Sequence, residues 1–317
     1  MDREAFASRF GWIPAWGDNL AKNAGSAQAV EMSKKTSGMQ GGYVALTDAL
    51  QIVSTTDPGR VRGHNEDCVE LRPELGIVVL ADGMGGYNAG EVASGMATSL
   101  IASGLSQAWT KDTLEKLDRD GAMTLSQDIL KTQVKLANTA IFEAAQKDPQ
   151  CAGMGTTLVA CLFYDNFLTV GHIGDSRLYR MRNDALEQVT RDHSLLQEQI
   201  DSGLITKEDA RSSHNKNLVT RALGIDPEVE TEIHSYDVQE GDIFLLCSDG
   251  LNDMIEDDEI QMTLIALRSN LELTAQQLVQ AANDAGGRDN ISVMLVRVMK
   301  NFGVERGFWA RVKSWFG

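Results

Sequence analysis

The chain is short of positive charge and has no long apolar segment. Its 317 residues contain 29 Lys and Arg against 45 Asp and Glu, which gives a formal net charge of −16 at pH 7. A nucleic-acid or anionic-membrane surface needs clustered Lys and Arg, so we expect neither as a general partner. A membrane-spanning helix needs about 20 consecutive apolar residues, and the sequence predicts no transmembrane segment.

Cysteine is also scarce, and no C-x-x-C pair occurs. Most of the cysteines stand beside or inside apolar runs, which predicts buried thiols in a reducing compartment rather than a disulfide framework or a zinc site. The first residues, MDREAFASRF, include acids where a secretory signal is basic and then apolar. We therefore predict a cytoplasmic protein. The four cysteines are Cys68, Cys151, Cys161 and Cys247.

The order of apolar patterns predicts one α+β domain between two tails. Residues 1–47 contain Gly-, Ser- and Lys-rich stretches, which predict a flexible N-terminal extension. Strands, two helices, strands, two helices and a strand follow in residues 48–299. Strands joined by two-residue turns, such as Asp165–Asn166 and Asn183–Asp184, are antiparallel. We expect helices layered on largely antiparallel sheets.

Three local details follow from the same patterns. The strand DCVELRP is predicted to pair with the preceding strand LQIVSTTD. Thr124 and Thr274, each with Gln three residues later, are predicted to cap two helices. His172 lies within an apolar strand, which favours a hydrogen-bonded core residue over a ligand.

Residues 300–317 are predicted to form an amphipathic tail. On a helix, five large apolar side chains fall within an arc of about 120°. We expect this helix to dock on its own domain or on a partner, in preference to a membrane surface, because one short helix anchors weakly. These side chains are Phe308, Trp309, Val312, Trp315 and Phe316.

Aspartates recur at the ends of apolar strands. Strand ends of one sheet system meet at one edge, so we expect these side chains to converge, and cations must then neutralise them. Carboxylate oxygens suit hard ions such as Mg²⁺ or Mn²⁺. A single Asp-Gly pair predicts only a turn, and it is the repetition that favours a metal site. The four are Asp82 in VVLADGMGG, Asp175 in TVGHIGDSR, Asp249 in FLLCSDGL and Asp289 in GGRDNISVMLV.

A fifth segment, RGHNED, adds Arg62, Glu66 and Asp67. Two ions about 3.5–4 Å apart can share one water and lower its pKa toward neutrality, which makes a nucleophile for phosphorus. Arg62 is suited to hold a phosphate dianion through two parallel hydrogen bonds. Gly83, after Asp82, lets the backbone approach the ions, and its carbonyl could be a ligand. Asp175 has a structural alternative, an ion pair with Arg177.

The order of the short motifs resembles a known family. RGHNED, ADGMGG, GTTL, GDSR, NLVTRALG, SDGL and GRDN occur in the order found in the metal-dependent PPM family of Ser/Thr protein phosphatases. Over roughly residues 50–298 the likeness is to the bacterial branch. It implies that residues 48–299 form a β-sandwich of two largely antiparallel sheets flanked by helices on both faces.

The resemblance also implies roles for the acidic residues. Asp82 would bridge two Mn²⁺ or Mg²⁺ ions, and the Gly83 carbonyl would bind one of them. Asp249 and Asp289 would hold the other ion. Asp175, with Asp249, would match a weaker third-metal site of bacterial members.

The same resemblance implies roles in substrate binding. Glu66 and Asp67 would position metal-bound waters, and Arg62 would grip the substrate phosphate. Residues 193–224 look like the flap that borders the site and influences substrate choice. Its candidate contact residues are His193, Asn217 and Arg221.

One position departs from many relatives. They carry His directly after the Asp-Gly pair, where it could protonate the leaving alkoxide, whereas this chain has Met84. A thioether has no proton to give, although the bacterial branch often has Met as well. The donor is then a metal-bound water or a histidine such as His64 or His193, and the sequence leaves these open.

The sequence thus predicts an enzyme that hydrolyses phosphoserine and phosphothreonine in proteins, through a hydroxide bridging two metal ions. Its predicted partners are phosphorylated proteins and a cognate Ser/Thr kinase whose action it reverses. The alternatives are an inactive relative that binds phosphoproteins and a phosphatase of small phosphoesters. Retention of all the acidic ligands and of Arg62 favours catalysis.

Overall fold

The structure is a computed structural model that describes residues 44–86, 89–110, 116–206, 209 and 218–304. The predictions for most of the N-terminal extension, for the C-terminal amphipathic helix and for Asn217 lie outside these residues. Among the described helices, none combines the length and the apolar character that crossing a bilayer requires.

In the described part of the chain the strands form two sheets, and every strand pairing there is antiparallel. The first sheet has the order β1-β11-β10-β7-β8, and the second has the order β2-β3-β5-β6-β9, with the short β4 paired to β3. The first sheet consists of β1 (Leu50–Asp57), β7 (Arg177–Arg182), β8 (Ala185–Gln188), β10 (Ile243–Cys247) and β11 (Ile291–Val298). The second consists of β2 (Asp67–Arg72), β3 (Ile77–Met84), β4 (Gly155–Thr156), β5 (Leu158–Tyr164), β6 (Phe167–Ile173) and β9 (Glu232–Asp237).

Helices cover the outer face of each sheet. Helices α2 (Ala89–Ala108) and α3 (Arg119–Lys147) pack on the second sheet, and α6 (Asp257–Leu267) and α7 (Leu271–Asp284) pack on the first. Shorter helices in the described residues include α1 (Leu46–Ala49), α4 (Leu195–Asp201) and α5 (Asp249–Asn252). The predicted sandwich with helices on both faces is confirmed.

The central strands are buried on both sides, which explains their continuous apolar runs. Phe244 and Leu246 of β10 point between the sheets and pack in one cluster with Leu80 of β3. Leu245, between them, points the other way and packs in a second cluster with Leu264 of α6. Successive side chains of a strand alternate between its faces, so one strand serves both cores.

The predicted pairing of the strand at 67–73 with the strand at 50–57 is wrong. β1 pairs with β11 in the first sheet, whereas β2 pairs with β3 in the second. Residues 58–66 cross from one sheet to the other. Proximity in sequence predicted a hairpin, but the crossing brings RGHNED to the edge shared by both sheets.

The two turns were predicted correctly. Asp165 and Asn166 have φ values of 45° and 58°, and Asn183 and Asp184 have 53° and 62°. They join β5 to β6 and β7 to β8, where tight hairpins need this left-handed backbone. The connection from β6 to β7 differs, because it carries the chain from the second sheet to the first.

The two predicted threonine caps are wrong. Helix α3 begins earlier, where Asp118 accepts a hydrogen bond from the Gly121 amide, and α7 is capped by Asn270. Thr124 and Thr274 instead lie inside their helices, and each hydroxyl donates to a backbone carbonyl one turn earlier.

Candidate metal centre

The predicted acidic residues meet at one edge of the sandwich, where β3 and β6 end and β2 and β11 begin. Asp82 of β3 stands directly opposite Asp67 of β2 in the register of the sheet. Like charges in directly opposed positions destabilise a strand pair. β3 also runs two residues past Asp82, because Gly83 and Met84 pair with β4. The opposed carboxylates therefore lie within the sheet, with little solvent to screen them.

Burial and mutual repulsion both raise the pKa values of these carboxylates. Burial, followed by the charges of Asp67, Asp249, Asp175 and Asp289, raises the pKa of Asp82 well above its ordinary value. Burial also raises the pKa of Asp67, to about 6. The predicted convergence of charge at this edge is present in the structure.

Asp249 and Asp175 show the same perturbation. Burial and then the neighbouring Asp175 and Asp253 raise the pKa of Asp249 well above its usual range. Burial raises the pKa of Asp175 to about 7, with a further contribution from Asp192. Ionising these carboxylates in the folded protein therefore costs free energy. A bound cation would offset that cost, because it stabilises the ionised form.

Several carboxylate oxygens at this edge are buried without a hydrogen-bond partner. They are Glu66 Oε1, Asp67 Oδ1 and Asp249 Oδ1. The other oxygen of Asp67 accepts a hydrogen bond of 2.8 Å from Ser248 Oγ, which orients the side chain. Unpartnered anionic oxygens from these two segments are the kind of donor that hard divalent cations take. The residues therefore fit a Mg²⁺ or Mn²⁺ centre.

Gly83 sits where two backbone segments touch. A Cβ at this position would lie 2.1 Å from the carbonyl oxygen of Gly90 and 2.7 Å from that of Glu66. The Gly83 amide donates a 3.1 Å hydrogen bond to the Glu66 carbonyl. Only glycine allows α2, β3 and the RGHNED segment to approach this closely.

Arg62 is held at the same edge. Its Nη2 donates to Asp289 Oδ2 at 2.7 Å, and its side chain is 51% exposed. The guanidinium therefore stands between the carboxylate cluster and solvent, which is where an incoming anion would meet it. Asn290, a residue without a predicted role, orders this segment, because its side chain accepts from the Glu66 amide and donates to the carbonyls of Pro58 and His64.

The structural alternative for Asp175 does not hold as predicted. Arg177 makes its ion pair with Asp192, at 2.7 Å between Nη2 and Oδ2, and its Nε donates to the same carboxylate. Arg177 still lowers the pKa of Asp175 through its charge, but less than burial raises it.

Asp253 was missed by sequence reasoning. It follows Asp249 by four residues, at the end of α5, and its charge raises the pKa of both Asp249 and Asp175. The i, i+4 spacing places two side chains on one helix face, and this spacing was the signal in the sequence.

The described flap residues gather around Glu232 of β9. His193 Nε2 lies 3.2 Å from Glu232 Oε1, and Arg221 Nη1 lies 3.9 Å from the same oxygen. His172 is buried within β6 as predicted. Its ring nitrogens make no hydrogen bond of regular geometry, but contacts with the backbone at Gly174 and Ser176 raise its pKa against the effect of burial. Burial lowers its pKa to about 3.

Comparison with known proteins agrees with this geometry. The sequence profile of the family described as protein phosphatase 2C matches residues 64–294. The chain belongs to this family. Like the relatives below, it is a protein serine/threonine phosphatase.

Three relatives show how far the likeness extends. The Serine/threonine phosphatase stp of Listeria innocua is 40% identical over 247 residues, which cover 76% of this chain and 93% of the relative. The crystal structure of the Mycobacterium tuberculosis phosphatase PstP/Ppp superposes with a TM-score of 0.70 at 36% identity, covering 80% of this chain and 100% of that chain. A structure of the PstP catalytic domain in complex with two manganese ions gives a TM-score of 0.68 at 35% identity, covering 80% of this chain and 99% of that one.

Proposed function

We propose that this phosphatase uses the carboxylate edge to bind two Mn²⁺ or Mg²⁺ ions, with a weaker third ion near Asp175 and Asp249. The observation that supports this most directly is the opposition of two carboxylates, buried Asp67 and half-buried Asp82, in one register position. Like charges directly opposite each other destabilise a strand pair, and bound cations would offset this repulsion. The proposed ligands are Asp82, Gly83, Asp175, Asp249 and Asp289.

When bound, the ions would supply the Lewis acidity that makes water a nucleophile at neutral pH. The chain's own groups would do the positioning. Asp67 Oδ1 and Glu66 Oε1, both buried and unpartnered, can accept hydrogen bonds from a water and so orient its lone pair. Arg62 can turn its planar fork from Asp289 to two oxygens of a phosphate dianion. Much of the rate enhancement would then come from orientation and charge neutralisation.

Of the two histidines considered as proton donors, His64 is the better placed. It is exposed, and its charge is near enough to lower the pKa of Glu66. His193 is only 6% exposed, and its Nδ1 already accepts a hydrogen bond from the Gly174 amide. His193 therefore has another role, which is developed below.

The substrates we propose are phosphoserine and phosphothreonine side chains of proteins modified by a cognate Ser/Thr kinase. Membership of the family and the exposure of Arg62 support a macromolecular phosphoester over a small one. The cytoplasmic location stays a prediction from the sequence.

The decisive experiment compares the wild type with Asp82→Asn. Phosphothreonine-peptide hydrolysis and Mn²⁺ binding by calorimetry are both measured, with and without chelator. We expect chelator to abolish hydrolysis, and Asp82→Asn to reduce both hydrolysis and Mn²⁺ affinity by at least tenfold. Asp128→Asn makes the same chemical change on an exposed position of α3 and should behave as the wild type. Hydrolysis that persists with chelator and in Asp82→Asn would refute the proposed mechanism.

A further inference from the structure

A second cluster of titratable groups lies outside the carboxylate edge. Donor atoms of His172, His193 and Glu232 all lie within 4.8 Å of one another. His172 and Glu232 are directly opposite residues of β6 and β9, and His193 begins the predicted flap. The two imidazole rings are 4.6 Å apart between centroids. Three separate segments thus meet at two buried histidines and a half-buried glutamate.

His193 binds both backbone polar groups of Gly174. Its amide donates to the Gly174 carbonyl at 2.8 Å, and its Nδ1 accepts from the Gly174 amide at 3.1 Å. Gly174 precedes Asp175, one of the proposed metal ligands. The ring therefore closes a cycle that fixes the turn from β6 to β7.

These hydrogen bonds determine the tautomer of His193. Burial lowers the pKa of His193 below its ordinary value, which favours the neutral ring. A neutral imidazole whose Nδ1 accepts a hydrogen bond carries its proton on Nε2. Nε2 lies 3.2 Å from Glu232 Oε1. The contact does not meet the geometry of a regular hydrogen bond, but it places the Nε2 proton beside a carboxylate. With its proton in place, Nε2 has no lone pair for a metal, which disfavours a His-His-Glu metal site.

The turn held by His193 is packed against the strand of Asp82. Gly174 has a φ of +99°, and a Cβ there would lie 2.7 Å from the side chain of Thr157. Thr157 Oγ1 accepts from the Asp82 amide at 3.0 Å and lies 2.7 Å from Ser176 Oγ. A displacement of the turn would therefore shift the positions of both proposed ligands, Asp175 and Asp82.

His193 also joins the two ends of the predicted flap. Its carbonyl accepts a 2.8 Å hydrogen bond from the Thr220 amide, and Leu195 donates to the Leu218 carbonyl at 2.9 Å. The flap's entry and exit are thus tied together at the residue that holds the Gly174 turn.

We propose that His193 is a positioning residue, held in one tautomer by the Gly174 amide, that couples the base of the flap to the Asp175 metal site through Gly174. This inference rests on the proposed function, because it takes Asp175 as a ligand of a divalent ion. Mutations of groups that orient ligands typically weaken metal affinity by 10- to 100-fold.

Two substitutions separate the roles of the ring nitrogens. Asn carries its oxygen on Cγ, as His carries Nδ1, so His193→Asn keeps an acceptor for the Gly174 amide. Gln places its amide where Nε2 was, so His193→Gln loses that acceptor while keeping a group that can donate to Glu232. Both variants are polar and smaller than or similar to histidine, which makes them a matched pair.

The first measurement is made on the protein without metal. Hydrogen exchange of the Gly174 amide should be at least tenfold faster in His193→Gln than in the wild type, and near the wild-type rate in His193→Asn. The ¹⁵N spectrum of the wild-type imidazole should show the proton on Nε2. A proton on Nδ1, or equal exchange in both variants, would overturn the proposal.

The second measurement is Mn²⁺ binding by calorimetry, with thermal unfolding as the control for folding. We expect the affinity of the weaker Mn²⁺ site to fall about tenfold in His193→Gln and to stay near the wild type in His193→Asn. If Asp175→Asn leaves that affinity unchanged, the proposed function fails at this site and the inference with it. If Asp175→Asn weakens binding but the two His193 variants are alike, only the inference fails. The same calorimetry with Zn²⁺ tests the rival His172–His193–Glu232 metal site. Binding of a zinc ion in the wild type that is lost in His172→Phe would also overturn the proposal.

Discussion

Replacing Asp67 by Asn should stabilise the metal-free protein at neutral and higher pH. Asp67 is buried opposite Asp82, and its pKa is raised from 3.8 to about 6. A raised pKa means that the folded state holds the proton more tightly than the unfolded state does. The stability from this proton is present below pH 4 and is lost as the pH rises through about 6.

The magnitude follows from the shift. One pKa unit corresponds to about 1.4 kcal/mol, so the ionised Asp67 costs about 3 kcal/mol of unfolding free energy at pH 8. This cost belongs to Asp67 together with its coupled neighbours. Asn has no charge to bury, and its oxygen can still accept from Ser248 Oγ. Asp67→Asn should therefore recover up to about 3 kcal/mol at pH 8 and almost nothing below pH 4.

The assay is urea unfolding in chelator at pH 5 and at pH 8. The gain in unfolding free energy should be larger at pH 8 than at pH 5 by about 1 kcal/mol or more. Asp128→Asn, on the exposed face of α3, should show no such difference. With saturating Mn²⁺ the sign should reverse, because the variant loses a group that orients bound water. A gain that is equal at both pH values, or a loss at pH 8 in chelator, would refute the electrostatic argument.

Two further predictions concern other parts of the same edge. Gly83→Ala should cost about 3 kcal/mol or more of unfolding free energy in urea denaturation, since its Cβ would meet backbone oxygens that cannot move away. Gly63→Ala, whose Cβ would meet nothing within 4 Å, is the control, and equal costs would contradict the steric argument. Asp253→Asn should raise the Mn²⁺ concentration for half-maximal activity about tenfold, because it removes negative charge beside Asp249 and Asp175. An unchanged concentration would show that Asp253 has no part in binding the ion.

Features with a local cause were predicted correctly. The φ > 0 turns at Asp165–Asn166 and Asn183–Asp184 follow from the tolerance of Asn and Asp for left-handed backbone. In each case a few neighbouring residues carry the whole signal.

Features that depend on distant partners were predicted less well. The N-cap of α3 is Asp118 and not the predicted Thr124, because the helix begins more than one turn before the periodic apolar positions. The partner of β1 is β11, more than two hundred residues away. Neither a capping pattern nor a strand pattern contains the position of its long-range partner.

The sequence by itself determined which residue types stand at the ends of apolar strands, and therefore that acids would collect at one edge of an antiparallel sandwich. Strand period, turn residues and the spacing of carboxylates are short-range properties that can be read in order along the chain. Only the tertiary structure decided that Asp67 faces Asp82, that Asn290 holds the RGHNED segment, and that His193 grips Gly174. These contacts depend on how two sheets pack and where connections cross between them, which is set by the summed burial of many side chains rather than by any local motif.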